Sequence, residues 1–447
     1  MAKLVSFVKT IRNNWKKSIF GCVVVTYGLN YAKGKYDCHV LMAEYCREAL
    51  EYGNISSSGG SKIRNVTVFV NPAANKRKAK KNFDAYCAPL LHLAGLSVTV
   101  VLTKSQGEAR TLAEHLDESV DAVIVAGGDG TLAETVTGLL RRETGRSPLS
   151  KRIPVGILPL GQINASANFL FSDSGKDIVK KMGEATMSII QEVRKPVDVI
   201  RIEQLEKERE DQRPVYGVNG LRWGAVHDTY AKRDKYWYWG ALREYMAFIF
   251  MGFKKDGKGV TWNCNADILY SLPCNGCSEC YMSHEPTKRK TPTRWWQSFV
   301  PKQQSSDAQK IDYSKIKNEA CSTLHELSIS AVDMTLETSK AQDDGGDDLE
   351  APYLKVSVGP SSISYLDFIN RGWQFIKGDG AGNVNTFYVK DVKLQPTIEN
   401  NLEGAEYWYY IDNDDYEVKP IYIKLLPKRL IMFCQRQVAK SVQPNVI

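Results

Sequence analysis

The 447-residue chain lacks a disulfide framework: its ten cysteines are too few and too scattered to staple a small secreted scaffold. It also lacks an apolar run of spanning length. The uncharged stretch near the N-terminus, Ser18 to Ala32, has fifteen residues. A bilayer-spanning helix needs about 20, and Asn30 weakens the stretch further. Charge of one sign is absent from most of the sequence. Seven basic residues between Lys3 and Lys35 precede the first acid, Asp37, and nearly account for the net charge of +8. No basic stripe runs along the protein, so a nucleic-acid partner is not expected. No internal repeat is present. What remains is 43% hydrophobic and 25% charged, an ordinary globular composition on a chain long enough for two domains.

The basic N-terminus reads as an address and an anchor. Leu4, Val8, Ile11 and Trp15 recur at helical spacing, with Phe7 beside them and basic residues between. Basic, acid-free and amphipathic is the pattern of a mitochondrial transit segment. A secretory signal competes, but no clear small-residue cleavage site follows. A soluble amphipathic helix packed on the protein is the third reading. The expected role is membrane attachment by a helix lying in the interface, with Lys33 and Lys35 towards anionic headgroups.

The expected organisation is a targeting and membrane-associating segment over 1–53, a linker at 54–61, an α/β domain over 62–195, a β-rich domain over 196–435 and a tail at 436–447. The linker rests on Ser56, Ser57, Ser58, Gly59 and Gly60. In the α/β domain, strand runs at Val66–Val70, Val98–Leu102, Ala122–Ala126 and Val155–Leu158 alternate with helical patterns at Lys76–Leu93, Glu108–Leu116 and Leu132–Arg142. Pro89 interrupts the first of these. Continuous apolar strands alternating with helices predict a parallel sheet covered on both faces. After about Pro196 the runs become short and β-branched, as in Val197–Ile202, Leu354–Val358 and Ile421–Leu425. A polar insertion interrupts this region at about 274–317, and Asp343–Glu350 reads as a solvated acidic loop.

One loop carries the chemistry. A buried strand ends in Gly127-Gly128-Asp129-Gly130-Thr131, and a helix follows. Glycines there let backbone N–H groups approach a phosphate. The helix N-terminus favours anionic oxygens, and Thr131 is placed to cap it. Asp129, the only acid in the turn, can reach a metal or orient nucleotide phosphates. A tight turn that merely needs glycine is the plainer account, but ligands of α/β sheets sit at such strand ends.

This loop resembles the glycine-rich nucleotide motif of the diacylglycerol kinase catalytic-domain family, which includes sphingosine and ceramide kinases and, more distantly, NAD kinases and phosphofructokinases. Val70-Asn71-Pro72 is similar to the family's first nucleotide-contacting motif. Thr103 with Gly107-Glu108-Ala109 resembles the second, and Pro159-Leu160-Gly161 with Asn164 resembles a Pro-x-Gly-Thr-x-Asn-Asp motif. Asp415-Tyr416-Glu417 falls where the family has Asp-Gly-Glu. With the N-terminal segment and Gly220-Leu221-Arg222-Trp223-Gly224, the likeness narrows to the mitochondrial acylglycerol kinases. It runs from about Lys3 to Cys434, the insertion near Cys274 excepted. Departures are Ala73, Ala74 and Asn75 in the first motif, Gln162 and Ala165 in the fourth, and Tyr416 in the acidic one.

The resemblance implies a lipid-kinase architecture, with a parallel α/β nucleotide-binding domain and a β-sandwich-like second domain. It implies transfer of a phosphoryl group from ATP, with Mg²⁺, to the hydroxyl of a mono- or diacylglycerol. Asn71, Pro72, Thr103, Gly127, Gly128, Asp129, Gly130, Thr131 and Gly161 are the implied nucleotide contacts. Asp415 is the implied base, and Asp129 and Glu417 the metal ligands. Asp228 is the candidate holder of the glycerol headgroup. The implied location is the mitochondrial inner membrane facing the intermembrane space. A further implied partner is the inner-membrane carrier translocase, in a role independent of catalysis.

Three residue patterns carry open alternatives. Asp415 and Glu417, two apart on a strand, point to one face, where a carboxylate can accept the proton of an attacking hydroxyl. Asp412, Asp414, Asp415 and Glu417 can equally form a solvated acidic turn. The aromatic run Tyr236–Trp239 and the segment Met246–Met251 can line an acyl-chain pocket, although core packing explains most of them. Cys274, Cys277 and Cys280 form a Cys-x2-Cys-x2-Cys run that could bind Zn²⁺ with a fourth ligand. No histidine stands at finger spacing, and thiols in a polar loop are the alternative.

Overall fold

A computed structural model describes residues 14–58, 63–144, 152–171, 177–206, 213–251, 263–274, 277–278, 316–319, 321, 323–338, 351–377, 385–397 and 407–436. The basic segment from Lys3 to Arg12, the acidic stretch Asp343–Glu350, Cys280, most of the polar insertion and the tail after Arg436 lie outside these residues.

The predicted α/β alternation is present. Strands β1 (Asn65–Val70), β2 (Ser97–Leu102), β3 (Ala122–Gly127) and β4 (Val155–Pro159) are parallel, in the order β2-β1-β3-β4. Every residue of β3 and β4 is buried. Their unbroken apolar runs therefore pack on helices at both faces. The helices are α1 (Trp15–Ser58), α2 (Ala88–Leu93), α3 (Glu108–Glu114), α4 (Asp129–Thr144), α5 (Ala165–Leu170) and α6 (Ile178–Ile190). The helical pattern at Lys76–Leu93 is broken. Short turns at Ala74–Arg77 and Ala79–Asn82 lead into a π-helical turn at Phe83–Cys87, just ahead of Pro89 in α2. Proline has no N–H to donate and its ring crowds the carbonyl four residues back, so the turn before it widens.

The expected linker at 54–61 is corrected in part: α1 continues helical through Asn54–Ser58. Packing explains this. Tyr45 and Ala49 are buried, and Gly53 is so close to Leu93 that an added Cβ would lie 2.3 Å from its carbonyl oxygen. A helix docked that far along holds its last turn against the entropy of serine and glycine. The other end protrudes, with Ile19, Phe20, Val23, Val24 and Val25 all exposed. No described helix is long and apolar enough to cross a membrane.

The second half of the chain adds β5 (Arg194–Gln204), β6 (Val215–Gly217), β7 (Gly220–Gly224), β8 (Cys264–Ser271), β9 (Leu324–Ala331), β10 (Asp333–Thr338), β11 (Leu354–Val358), β12 (Asn385–Val389), β13 (Asp391–Pro396), β14 (Trp408–Ile411), β15 (Asp414–Glu417) and β16 (Ile421–Phe433). Helices α7 (Ala225–Ala231), α8 (Arg243–Met251) and α9 (Tyr365–Lys377) lie beside them. A six-stranded antiparallel sheet, β12-β11-β10-β7-β14-β15, shares a core with the antiparallel half of a ten-stranded sheet. That ten-stranded sheet is continuous with the parallel strands: β16 runs parallel to β4 at Met432–Val155 and antiparallel to β5 along its length. Ile421, Ile423 and Leu425 of β16 fill the sandwich core, whereas Leu430, Met432 and Phe433 fill the α/β core. A bulge between Leu426 and Leu430, with Lys428 at φ +51°, makes the bend that lets one strand serve both. The last described strand therefore closes the first domain.

Candidate functional site

The glycine-rich loop joins β3 to α4, and its glycines serve close packing. An added Cβ on Gly161 would lie 2.3 Å from the Cα of Gly128, and one on Gly128 would lie 2.9 Å from the carbonyl oxygen of Ile163. The loop after β4 is thus pressed backbone to backbone against the loop after β3. Asn164 closes that second loop, accepting from the Gly161 N–H (3.0 Å) and donating to the Gly161 carbonyl (3.0 Å). Helix α4 starts at Asp129, and its first i→i−4 bond runs from Leu132 N–H to Gly128. The amides of Gly130 and Thr131 precede that bond and point out of the helix start, where an anionic group is favoured.

Thr131 is not the helix cap, because the helix begins two residues before it. Its hydroxyl accepts from Asn71 Nδ2 (3.2 Å), which ties the loop to the end of β1. Asn71 Oδ1 in turn accepts from Ala73 N–H (3.0 Å) across Pro72. Asn75, Lys76 and Arg77 follow at φ +50°, +54° and +65°, a left-handed run that costs non-glycine residues energy and is found at functional turns. Thr103 is buried, with its N–H and hydroxyl both directed to the Val70 carbonyl. Gly107, at φ +82°, donates its N–H to Glu134 of α4 (2.7 Å). Asn71, Pro72, Thr103 and the 107–109 turn therefore stand around the same strand ends as residues 127–131.

Asp129 is almost wholly buried. Its two oxygens accept from Ala165 N–H (2.7 Å) and Ser166 N–H (3.1 Å), so it caps α5 from a different loop. Burial raises its pKa despite those bonds. Asn413 also approaches it, at 3.5 Å.

Asn413 belongs to an acidic hairpin. Asp412 and Asn413, at φ +49° and +71°, form the two-residue turn between β14 and β15, a backbone form that favours Asp, Asn and Gly. Asp412 is buried and accepts from the N–H groups of Val218, Asn219 and Gly220 at 2.6, 2.8 and 3.1 Å. Burial, followed by the Asp129 charge, pushes its pKa up to about 6 against the pull of those bonds. Asp414 reaches the glycine-rich loop: an added Cβ on Gly130 would lie 2.6 Å from its Oδ1. Burial, then the carboxylates of Glu134, Asp412 and Asp415, push Asp414 up to about 7, with Arg110 partly offsetting them.

Asp415 and Glu417 do share one face, and it is the exposed one; Asp414 and Tyr416 take the half-buried face. Asp415 is raised by burial and then by the Asp228 carboxylate. Asp228 lies on α7, accepting from the Tyr410 hydroxyl (3.0 Å) and paired with Lys232 (2.9 Å). Asp129 and Glu417, expected to share a metal, are not brought together. Glu417 is exposed and paired with Lys419 (3.0 Å), at the far end of a strand whose start, Asp414, faces the loop. At about 3.3 Å per residue, the offset is about 10 Å. Asp412 and Asp414, read from the sequence only as part of a solvated acidic turn, are instead the buried and half-buried acids of this hairpin. An Asp-Asn pair between two short β runs was the available hairpin signal.

The aromatic segment divides. Tyr236, Ala247 and Phe248 are core, while Trp237, Tyr238, Trp239, Leu242 and Phe250 are exposed.

Known proteins match this arrangement along the whole chain. Residues 65–202 match the diacylglycerol kinase catalytic domain, and residues 218–446 the acylglycerol kinase C-terminal domain. The chain is 33% identical over 444 residues to the mitochondrial acylglycerol kinase of Mus musculus, covering 99% of each protein. It is 34% identical over 435 residues to that of Homo sapiens, covering 96% of each. The chain belongs to the acylglycerol kinase family. Sphingoid long chain base kinase 4 of Schizosaccharomyces pombe is a more distant relative, 23% identical over 91% of this chain and 83% of its own. Family membership makes this a lipid kinase, and kinase chemistry implies ATP as the phosphoryl donor.

Proposed function

We propose that the protein transfers the γ-phosphoryl group of ATP to a hydroxyl of mono- or diacylglycerol, giving lysophosphatidic or phosphatidic acid at mitochondrial membranes. The observation that carries this is the acidic hairpin set against the glycine-rich loop, with Asp414 beside Gly130 and Asp415 on the side of Asp228. The amides of Gly130 and Thr131 suit phosphate oxygens. Carboxylates that raise one another's pKa fit a divalent cation, which relieves their repulsion. Asp414, with Glu134 nearby, would hold Mg²⁺, whose chemistry here is to neutralise charge on the phosphates. Asp129 positions the two loops. Asp228 holds the glycerol headgroup, and Asp415 takes the proton of the attacking hydroxyl, a role worth about 10²–10⁴-fold.

The test is phosphate transfer by purified protein on mono- and diacylglycerol, sphingosine and NAD. Asp415→Asn is expected to lower turnover at every Mg²⁺ concentration with ATP affinity kept. Asp414→Asn is expected to raise the Mg²⁺ requirement. If Asp414→Asn is the one that lowers turnover regardless of Mg²⁺, the proton passes to Asp414, whose pKa near 7 suits a base.

The exposed apolar part of α1 supports a second reading, as a non-catalytic subunit of the inner-membrane carrier translocase. Ile19 to Val25 can cover a partner helix as well as a lipid surface. An association that survives loss of ATP binding, and is lost on N-terminal deletion, supports this role.

A further inference from the structure

Cys274 and Cys277 meet Cys321, which stands more than forty residues further along the chain, at one edge of the ten-stranded sheet. Strand β8 ends at Ser271 and leads to Cys274 and Cys277; Cys321 stands three residues before β9. β8 and β9 pair in register, Ser271 opposite Leu324, so both ends of the long excursion between them are brought together. The Sγ atoms of Cys274, Cys277 and Cys321 all lie within 4.8 Å of one another, and Cys277 and Cys321 are buried.

We propose that these three cysteines form a structural zinc site that clips the neck of the 272–323 excursion. A tetrahedral zinc with Zn–S bonds of about 2.3 Å has sulfur–sulfur edges of about 3.8 Å, so sulfurs already within 4.8 Å reach that geometry by movements of about 1 Å. Thiolate donors select a soft or borderline cation over Mg²⁺ or Ca²⁺, and a Cys-x2-Cys pair is the common half of a structural zinc site. Binding as thiolates releases three protons to solvent and leaves the tris-thiolate zinc with one negative charge. The surroundings offset it: Lys390 Nζ donates to Cys321 Sγ at 3.8 Å, and Asn318 Nδ2 to Cys274 Sγ at 3.3 Å. Such neighbours orient ligands and raise metal affinity. Ser278 N–H donates to the Ile316 carbonyl at 2.8 Å, a backbone tie across the same neck. A disulfide could join only two of the three sulfurs, whereas a metal uses all three. A fourth donor completes four-coordination.

The test uses the full chain. Elemental analysis of the purified protein is expected to give about one zinc per chain, retained by Cys22→Ser on the exposed part of α1. Cys274→Ser and Cys321→Ser are each expected to lose most of it. Because a serine variant can fail by misfolding, the wild-type chain is also stripped with chelator and titrated with Co²⁺. A thiolate-to-cobalt charge-transfer absorption, displaced by Zn²⁺, is expected, and Asn318→Ala should weaken zinc binding about 10-fold. A protein that carries no zinc and gives no such absorption overturns the proposal, as does a disulfide between any two of the three cysteines in non-reducing peptide maps.

Discussion

Replacing Asp414 by asparagine should make the protein more stable and less able to use Mg²⁺. The Asp414 carboxyl rises from an ordinary 3.8 to about 7, chiefly through burial and then through three neighbouring carboxylates. A group that binds its proton more tightly when folded stabilises the fold most at low pH. That stability is lost as the pH rises from about 4 to about 7, and stays lost above. The shift of about three units, at 1.36 kcal/mol each, corresponds to a cost of about 4 kcal/mol at pH 8. An unfolding entropy of about 2.1 cal/mol/K per residue over 447 residues makes that about 4 °C in the melting midpoint. Asp414→Asn, close in shape and uncharged, should therefore melt a few degrees above the wild type at pH 8, with the gap falling to about 1 °C or less at pH 4.5. Added Mg²⁺ should raise the wild-type midpoint at pH 8 and leave the variant nearly unmoved, because the cation relieves the same repulsion. Differential scanning fluorimetry at both pH values, with and without Mg²⁺, reads all three outcomes. A variant that melts at or below the wild type at pH 8, or a gap independent of pH, refutes the reasoning.

Gly130→Glu should abolish ATP binding in a calorimetric titration while circular dichroism stays near normal, since the new side chain starts 2.6 Å from Asp414 Oδ1 and adds a fourth carboxylate charge to those already crowding Asp414. Gly161→Ala should force the two loops apart, because its Cβ would lie 2.3 Å from backbone at Gly128. A loss of about 1–3 kcal/mol in stability by urea titration is expected, with weaker ATP binding. Deleting residues 1–35 should release the protein from mitochondrial membranes in alkaline carbonate extraction but preserve activity on detergent-dispersed lipid, because the docked part of α1 begins near Leu41. A truncated chain that still pellets with membranes sinks the anchor reading.

Much of this was legible from one sequence. The runs at Val66–Val70 and Ala122–Ala126 had to be buried strands, since an unbroken apolar run leaves no face for water. Glycines closing one such strand marked a tight loop, and the fold presses it backbone to backbone against the loop after β4. The uncharged stretch from Ser18 to Ala32 marked a helix segment whose apolar residues Ile19, Phe20 and Val23 to Val25 the fold leaves exposed. Each of these signals is local, carried by residues within a turn or two of one another.

What the sequence left open depended on pairing across long separations. Asp414 and Asp415 are adjacent and chemically identical, yet one faces Gly130 and the other Asp228. A strand's side chains alternate, so the placement of the Asp412–Asn413 turn by one residue decides which acid meets the glycine-rich loop. The same holds for Asp129, which caps a helix 36 residues away in sequence. It holds for β16, whose bulge sends one strand through two cores. It holds also for Cys321, which joins Cys274 and Cys277 only because β8 and β9 are neighbours. Local periodicity tells a residue how deeply to bury; only the completed sheet, closed over gaps of tens to hundreds of residues, tells it what to bury against.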